Sequence, residues 1–258
     1  MVQMYSKFND INQNLEKHIQ YIKKAHENNC DTILFPELSL IGYDLNQISN
    51  YKNTYEQEQI LKEQALKYQM NILYGTIHET NDKKYITHKL INKDKEEKIY
   101  KKIHLGKNEK KYFNEGNEIP IFQIQSKKEK ISIAFGICYD MHFPELSSIY
   151  AKNNVKIIFS PHASYINANM RLKIWNKYMM ARAYDNQLYI IACNNIFYKD
   201  DQILGGGIAV WNKKGEIEIK EETNKEKMII HKINPFQYEG KRSNYLKDKK
   251  YELYKKYI

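Results

Sequence analysis

Short apolar runs, each broken off by a polar or turn-forming residue, set the frame for this chain. Thr32-Ile33-Leu34-Phe35 stops at Pro36, and residues 131–137, ISIAFGI, stop at Cys138. Residues 155–159 and 188–193 are runs of the same kind. Such runs are too short for buried helices and read as strands covered on both faces. Stretches with helical spacing lie between them. Leu15, Ile19, Ile22 and Ala25 make a stripe within residues 12–28, and residues 55–68 are rich in Glu, Gln and Leu. Residues 145–152 predict a short helix, and residues 170–184 place Leu172, Trp175, Met179 and Ala183 on one helical face. Further strands are expected at residues 71–77, 85–92 and 98–103, a hairpin at 207–211 and 216–220, and a last strand at 228–233. Many strands with a few long helices imply sheet faces covered by helices.

A chain of 258 residues with 42% hydrophobic residues can bury a large core. No Pro/Gly/Ser-rich linker and no internal repeat divides residues 1–258, which predicts one domain. No apolar run is long enough to span a bilayer, so no membrane partner is expected. The start, MVQMYSKFND, lacks a basic-then-apolar leader, and a soluble cytoplasmic protein is the expectation. Cys30, Cys138 and Cys193 are odd in number and have no framework or zinc-ligand spacing. Reduced thiols and no metal site are therefore expected. The net charge of +10 comes almost wholly from Lys, Arg standing only at Arg171, Arg182 and Arg242. Lys is mixed with Glu and Asp, as in KDKEEK, which describes a solvated surface rather than a nucleic-acid interface.

Three segments carry side chains with chemistry just past an apolar strand, where a sheet fixes the backbone and a loop keeps access. In FPELSLIGYD, Glu37 follows the run that ends at Phe35. A carboxylate there is either a structural hydrogen-bond partner or a reactive group. In YKKIHLGKNEKKYF, period-two alternation turns either Lys101 or Lys102 inward. In AFGICYDMHFPELS, Cys138 sits between a strand and a helix starting near Pro144, flanked by Tyr139, Asp140 and His142. A sharp turn of that kind exposes a nucleophile and aims backbone N–H groups at one spot.

Together these segments resemble the nitrilase superfamily of carbon–nitrogen hydrolases, in its amidase and N-carbamoyl hydrolase branch. FPEL, the KxHL-type segment and the GxxxCYDxxFPE-type segment look like its three signatures, in its chain order. The opening VQMYSKFNDINQNLEK, MMARAYDNQLYIIACN, GGGIAVWNKKGEI and the terminal RSNYLKDKKYELY extend the resemblance over nearly the whole chain. It implies an α/β fold, a four-layer αββα sandwich that dimerises into a longer one, with the tail 234–258 at the dimer interface. It implies Cys138 as nucleophile, Glu37 as base and Lys102 as the cation at the oxyanion. Glu109, before KKYF, corresponds to a second Glu that some members need. The backbone N–H of Tyr139 is the second oxyanion donor.

These residue types meet the demands of amide cleavage. A free thiol with a pKa of about 8.5 is little ionised at neutrality, so it needs a base. Burial can raise a Glu to that task, and Lys has the sign to stabilise thiolate and oxyanion. The expected substrate is a small amide or ureido compound, cut with release of ammonia and without a cofactor. A nitrile substrate and a catalytically silent binding protein are the alternatives. His142, His162, Ser164 and Tyr165 are candidate pocket walls, and Arg171 a candidate clamp for a substrate carboxylate. Asp140 and Glu145 read as supports of the turn, with Arg182 paired to one of them. Cys30 and Cys193 read as core thiols.

Overall fold

The computed structural model describes residues 1–126, 129–237 and 245–257. In chain order its strands and helices are β1 (Val2–Gln3), α1 (Ile11–Glu27), β2 (Thr32–Leu34), α2 (Tyr55–Tyr68), β3 (Asn71–Thr80), β4 (Lys83–Ile91) and β5 (Glu97–Lys101). There follow β6 (Phe122–Gln125), β7 (Lys130–Phe135), α3 (Pro144–Lys152), β8 (Ile157–His162), α4 (Ala168–Asn186), β9 (Tyr189–Asn194) and β10 (Ile196–Lys199). The last are β11 (Gln202–Gly205), β12 (Ile208–Trp211), β13 (Ile217–Glu221), β14 (Lys227–Met228), α5 (Tyr245–Asp248) and α6 (Tyr251–Tyr254).

Two sheets carry the molecule, one ordered β2-β3-β4-β5 and the other β13-β12-β9-β8-β7-β6. Strand alternation assigns every other side chain to a different layer. Leu34, Leu73, Leu90 and Tyr100 of the first sheet meet Ile133, Phe135, Ile157, Phe159 and Ile191 of the second in a shared core. The intervening Ile33, Phe35, Ile72 and Tyr74 face α1 and α2 through Leu15, Ile22, Leu61 and Ala65. On the far side, Ala134, Ile158, Ile190 and Ala209 face α3 and α4 through Leu146, Tyr150, Leu172, Trp175 and Met179. The layers are therefore helix, sheet, sheet, helix. Each fully buried Ile, Leu or Phe here contributes about 1.5–3 kcal/mol relative to exposure, so the period-two pattern holds the register strongly.

The expected strands and helices form, with boundaries moved by a few residues. The last strand is much shorter than its apolar pattern predicts. β14 pairs only with β1, Val2 opposite Met228, and one further backbone pair joins Met1 and Ile229. β6 and the hairpin β10–β11 carry no expectation from the sequence; the outer half of that hairpin is exposed and polar, without a buried run. Of the expected tail, residues 238–244, Arg242 among them, and residue 258 lie outside the described residues. Its described part sits on the chain's own helices: Lys249 Nζ donates to Ser148 Oγ and Asn186 Oδ1, both at 2.8 Å.

Candidate active site

Glu37 and Lys102 follow the two edge strands of the four-stranded sheet. They meet because the chain after β2 folds back across β3. A side chain at Gly75 would strike Leu38 N at 2.2 Å and Pro36 O at 2.8 Å, so only glycine lets this crossing through. Leu40 N then donates to Gly75 O at 2.9 Å, and Asn195 Nδ2 holds the carbonyl of Glu37 at 2.7 Å. Strand alternation is resolved in favour of Lys102, which is 1% exposed; Lys101 lies over the Tyr85 ring instead. Lys102 Nζ donates to Glu37 Oε1 at 2.7 Å and to both oxygens of Glu109 at 2.9 Å. Glu109 also accepts from Tyr43 Oη at 3.0 Å and from Gly106 N at 2.7 Å, so its direction is fixed. Glu37 Oε2 is buried and has no partner.

Cys138 opens a single 3₁₀ turn, Cys138–His142, between β7 and α3. Its φ of 46° is left-handed, a conformation that costs a non-glycine residue about 1–2 kcal/mol. Such strain gathers where a side chain must be aimed. Asp140, wholly buried, ties the turn down. Its Oδ2 accepts from Ile137 N at 3.0 Å and Tyr100 Oη at 2.8 Å, and its Oδ1 accepts from His104 N at 2.8 Å. One carboxylate thus joins the Cys138 turn to the loop that carries Lys102. His104, stacked on Phe143 at 3.8 Å, completes that joint.

Charge and burial set the proton affinities. Burial pushes the Glu37 carboxyl up to about 7, against the pull of Lys102 and with help from Glu109. Burial and the charge of Glu37 push the Cys138 thiol up to about 12, opposed by Lys102. Burial works to discharge Lys102, but Glu37, Cys138 and Glu109 outweigh it and hold the ammonium charged. A protonated thiol therefore shares its surroundings with a carboxylate poised near neutrality and a fixed cation. That arrangement can move a proton from sulfur to carboxylate and stabilise negative charge beside it.

The remaining candidates divide. His142 is exposed, with its ring 4.5 Å from Tyr178 and 5.3 Å from Tyr139. His162 is fully buried at the end of β8, with Nε2 3.0 Å from Ser160 Oγ; burial, Arg171 and Lys102 keep it neutral. Ser164 accepts a hydrogen bond from Arg171, which is buried. Tyr165 is exposed and its ring packs 4.1 Å from Phe197. Arg182 donates to the carbonyl of His142 at 3.1 Å; among the described residues it makes no ion pair with Asp140, whose oxygens are taken by Tyr100, Ile137 and His104, while the charge of Glu145 still acts on it. Cys193 is buried and Cys30 partly so. A cavity of about 350 Å³ opens beside the turn, against His104, Lys107, Lys110, Tyr139 and Phe143. Tyr43, His104, Tyr178 and Asn195 carry no individual expectation from the sequence, yet the structure sets them beside the candidate residues. His104 stands within the KxHL signature and was there to be found.

A family model described as carbon-nitrogen hydrolase matches residues 1–241. The chain belongs to the carbon–nitrogen hydrolase family. This carbon–nitrogen hydrolase, of the nitrilase superfamily, is 26% identical to a probable nitrilase of Schizosaccharomyces pombe, over 100% of this chain and 97% of that protein. It is 28% identical to a 2-oxoglutaramate amidase of Bacillus subtilis, over 70% of each. Its fold is similar to that of an amidase from Nesterenkonia sp., with a TM-score of 0.85 and 20% identity, covering 100% of this chain and 94% of that one. Structures of that amidase include a complex with butyramide and an addition of acrylamide at the active-site cysteine. Among the described residues of this family member, no helix is long and apolar enough to cross a membrane.

Proposed function

We propose that the protein hydrolyses the carbon–nitrogen bond of a small linear amide through a thioester on Cys138. The observation that carries this reading is buried Lys102 bridging Glu37 and Glu109, with Cys138, half-buried on a left-handed turn, near enough to feel the charges of Glu37 and Lys102. The Cys138 proton passes to Glu37 as sulfur attacks the carbonyl carbon. The oxyanion faces the Lys102 ammonium and the backbone N–H of Tyr139. Glu37 returns its proton to the amide nitrogen, the C–N bond breaks, and ammonia leaves. Glu37 then takes a proton from water, whose oxygen attacks the thioester; the C–S bond breaks and the thiol is restored. Glu109 keeps Lys102 in place. None of these steps calls on a metal or an organic cofactor. The amidase names among the relatives favour an amide over a nitrile or a ureido compound.

Ammonia release from a panel of amides, ureido acids and nitriles tests the reading. Amides should react, and Cys138→Ala should be inactive while remaining folded. Near-full activity of that variant removes the nucleophile assignment. The same reading takes residues 1–258 as one domain that pairs with a second copy. Exposed Leu253, Tyr254 and Tyr257 on the tail support that pairing, and a strictly monomeric sedimentation profile would reject it.

A further inference from the structure

A lysine ammonium has three N–H donors, and Lys102 spends all of them on carboxylate oxygens. Glu37 Oε1 takes one at 2.7 Å, and the two oxygens of Glu109 take the others at 2.9 Å each. An oxyanion beside this ammonium needs one of them. A buried carboxylate oxygen left without a donor costs free energy that offsets the new bond, so the donor released must be one whose acceptor stays satisfied. Among the described residues, Glu37 Oε1 accepts from Lys102 alone. Glu109 is different. Its Oε2 also accepts from Gly106 N at 2.7 Å, and its Oε1 from Tyr43 Oη at 3.0 Å. Each oxygen of Glu109 therefore keeps a donor when the ammonium turns away. Gly106 supplies its share through the backbone, and Tyr43 supplies the other through a side chain.

The phenol is held in advance. Tyr43 stands in the segment FPELSLIGYD, which also carries Glu37. Gly42 N donates to Leu38 O at 2.7 Å and closes a turn between them. Gly42 has a φ of 85°, and a side chain there would strike Phe8 N at 2.6 Å, so only glycine takes this corner. The Tyr43 ring then packs on the apolar cluster that includes Leu38, Ile41, Leu105 and Phe113. Leu38 follows Glu37 in the chain, and Leu105 lies in the loop between Lys102 and Glu109. Burial, then the charges of Glu109, Glu37 and Cys138, push the proton affinity of the phenol well above its ordinary value, so the hydroxyl remains a donor.

We infer that Tyr43 is a positioning residue for Lys102: its hydroxyl keeps Glu109 Oε1 satisfied and so frees an ammonium N–H for the oxyanion formed at Cys138. The inference rests on the thiol-hydrolase reading above and adds no bond-making step to it. The C–S bond, the proton passed to Glu37 and the ammonia released are those already described. What changes as the oxyanion forms is the partner of one Lys102 N–H.

The test compares Tyr43→Phe with the unaltered protein in hydrolysis of butyramide, inhibition by butyraldehyde, and alkylation of Cys138 by iodoacetamide, located by peptide mass. Butyraldehyde adds to the thiol: a C–S bond forms, the thiol proton passes to Glu37, and the carbonyl oxygen becomes the oxyanion. Alkylation displaces iodide and forms no oxyanion. In Tyr43→Phe, kcat for butyramide and the affinity for butyraldehyde should each fall by about 10-fold or more, as for one hydrogen bond to a charged group. KM and the alkylation rate should stay within about three-fold of the unaltered protein. Alkylation that falls as far as kcat overturns the inference, because Tyr43 would then act on the thiol itself. An unchanged affinity for butyraldehyde overturns it as well. Ile41→Val loosens the same apolar cluster and should lower the urea midpoint without changing the ratio of aldehyde affinity to alkylation rate. An equal change of that ratio in both variants shows a packing effect and overturns the positioning role. Weaker butyraldehyde binding in Tyr43→Phe, with no ammonia from any amide in the unaltered protein, overturns the hydrolase reading and keeps the positioning role.

Discussion

Lys102 holds one oxygen of Glu37 at 2.7 Å and leaves the other, buried oxygen without a partner. A carboxylate made only for structure would have both oxygens satisfied, as Asp140 and Glu109 do. The open oxygen is where a proton can be taken and returned. Glu37→Gln keeps the shape and the neighbours but removes the base. Its turnover should fall by about 100-fold to 10,000-fold while the circular dichroism spectrum is unchanged. A rate within a few-fold of the unaltered enzyme would reject Glu37 as the base.

The same carboxyl links activity to pH in one direction and stability in the other. Its proton affinity rises from the ordinary 4.5 to about 7 on folding, chiefly through burial. Stability from this group is complete below about pH 4.5 and is lost as pH climbs to about 7. With Glu37 as the proposed base, activity needs its ionised form, so kcat/KM should rise over the upper part of that window. Urea midpoints of the wild-type protein should therefore decline relative to Glu37→Gln between pH 4.5 and 7. A constant difference would mean that the group titrates alike in the folded and unfolded chains. The midpoint of the kinetic titration belongs to the coupled set of Glu37, Lys102, Glu109 and Cys138.

Backbone strain at Cys138 predicts a stability difference between two variants that lack the thiol. With φ at 46°, alanine at this position keeps the left-handed penalty and glycine escapes it. Cys138→Gly should be more stable than Cys138→Ala by about 1 kcal/mol, read from urea unfolding. Equal stabilities would show that the turn relaxes once the thiol is gone.

Asp140 predicts a loss of both fold and rate without touching the reacting atoms. Asp140→Ala leaves Tyr100 Oη and the N–H groups of Ile137 and His104 without their acceptor. At about 1–3 kcal/mol for each buried donor left unpaired, the loss should be about 3 kcal/mol or more. Asp140→Asn should recover part of the stability. A drop below about 1 kcal/mol in Asp140→Ala would mean that water replaces the carboxylate.

The principal strands were legible in the sequence by local pattern, whereas the layer order and the choice of Glu37, Lys102 and Cys138 rested on the resemblance to the nitrilase superfamily, alternation alone leaving Lys101 and Lys102 open. The unbroken run Ile33-Leu34-Phe35 marks a strand covered on both faces, and Cys138 declares its turn by the polar residues that follow it. What escaped depends on contacts distant in the chain. Nothing near Tyr43 marks it as a partner of Glu109, and nothing near Asn195 marks it as the clamp on Glu37. Of the two carboxylates open to Arg182, Asp140 is committed to Tyr100, His104 and Ile137, which leaves Glu145 as the one whose charge acts on it. The strand expected at 228–233 failed because an apolar pattern says nothing of how many residues its partner offers.

The hydrogen bond from Asn195 to the carbonyl of Glu37 spans 158 residues of chain. Glu37, Lys102 and Cys138 all precede Asn195 in the chain, so a growing chain carries these three side chains before it carries the brace on Glu37. On the proposed mechanism, full reactivity would come only when the segment after β9 docks on the loop that carries Glu37. Regain of activity during refolding should lag behind helix formation, since long-range closure is the slower event. Catalytic competence becomes a timer for the final docking of the two halves.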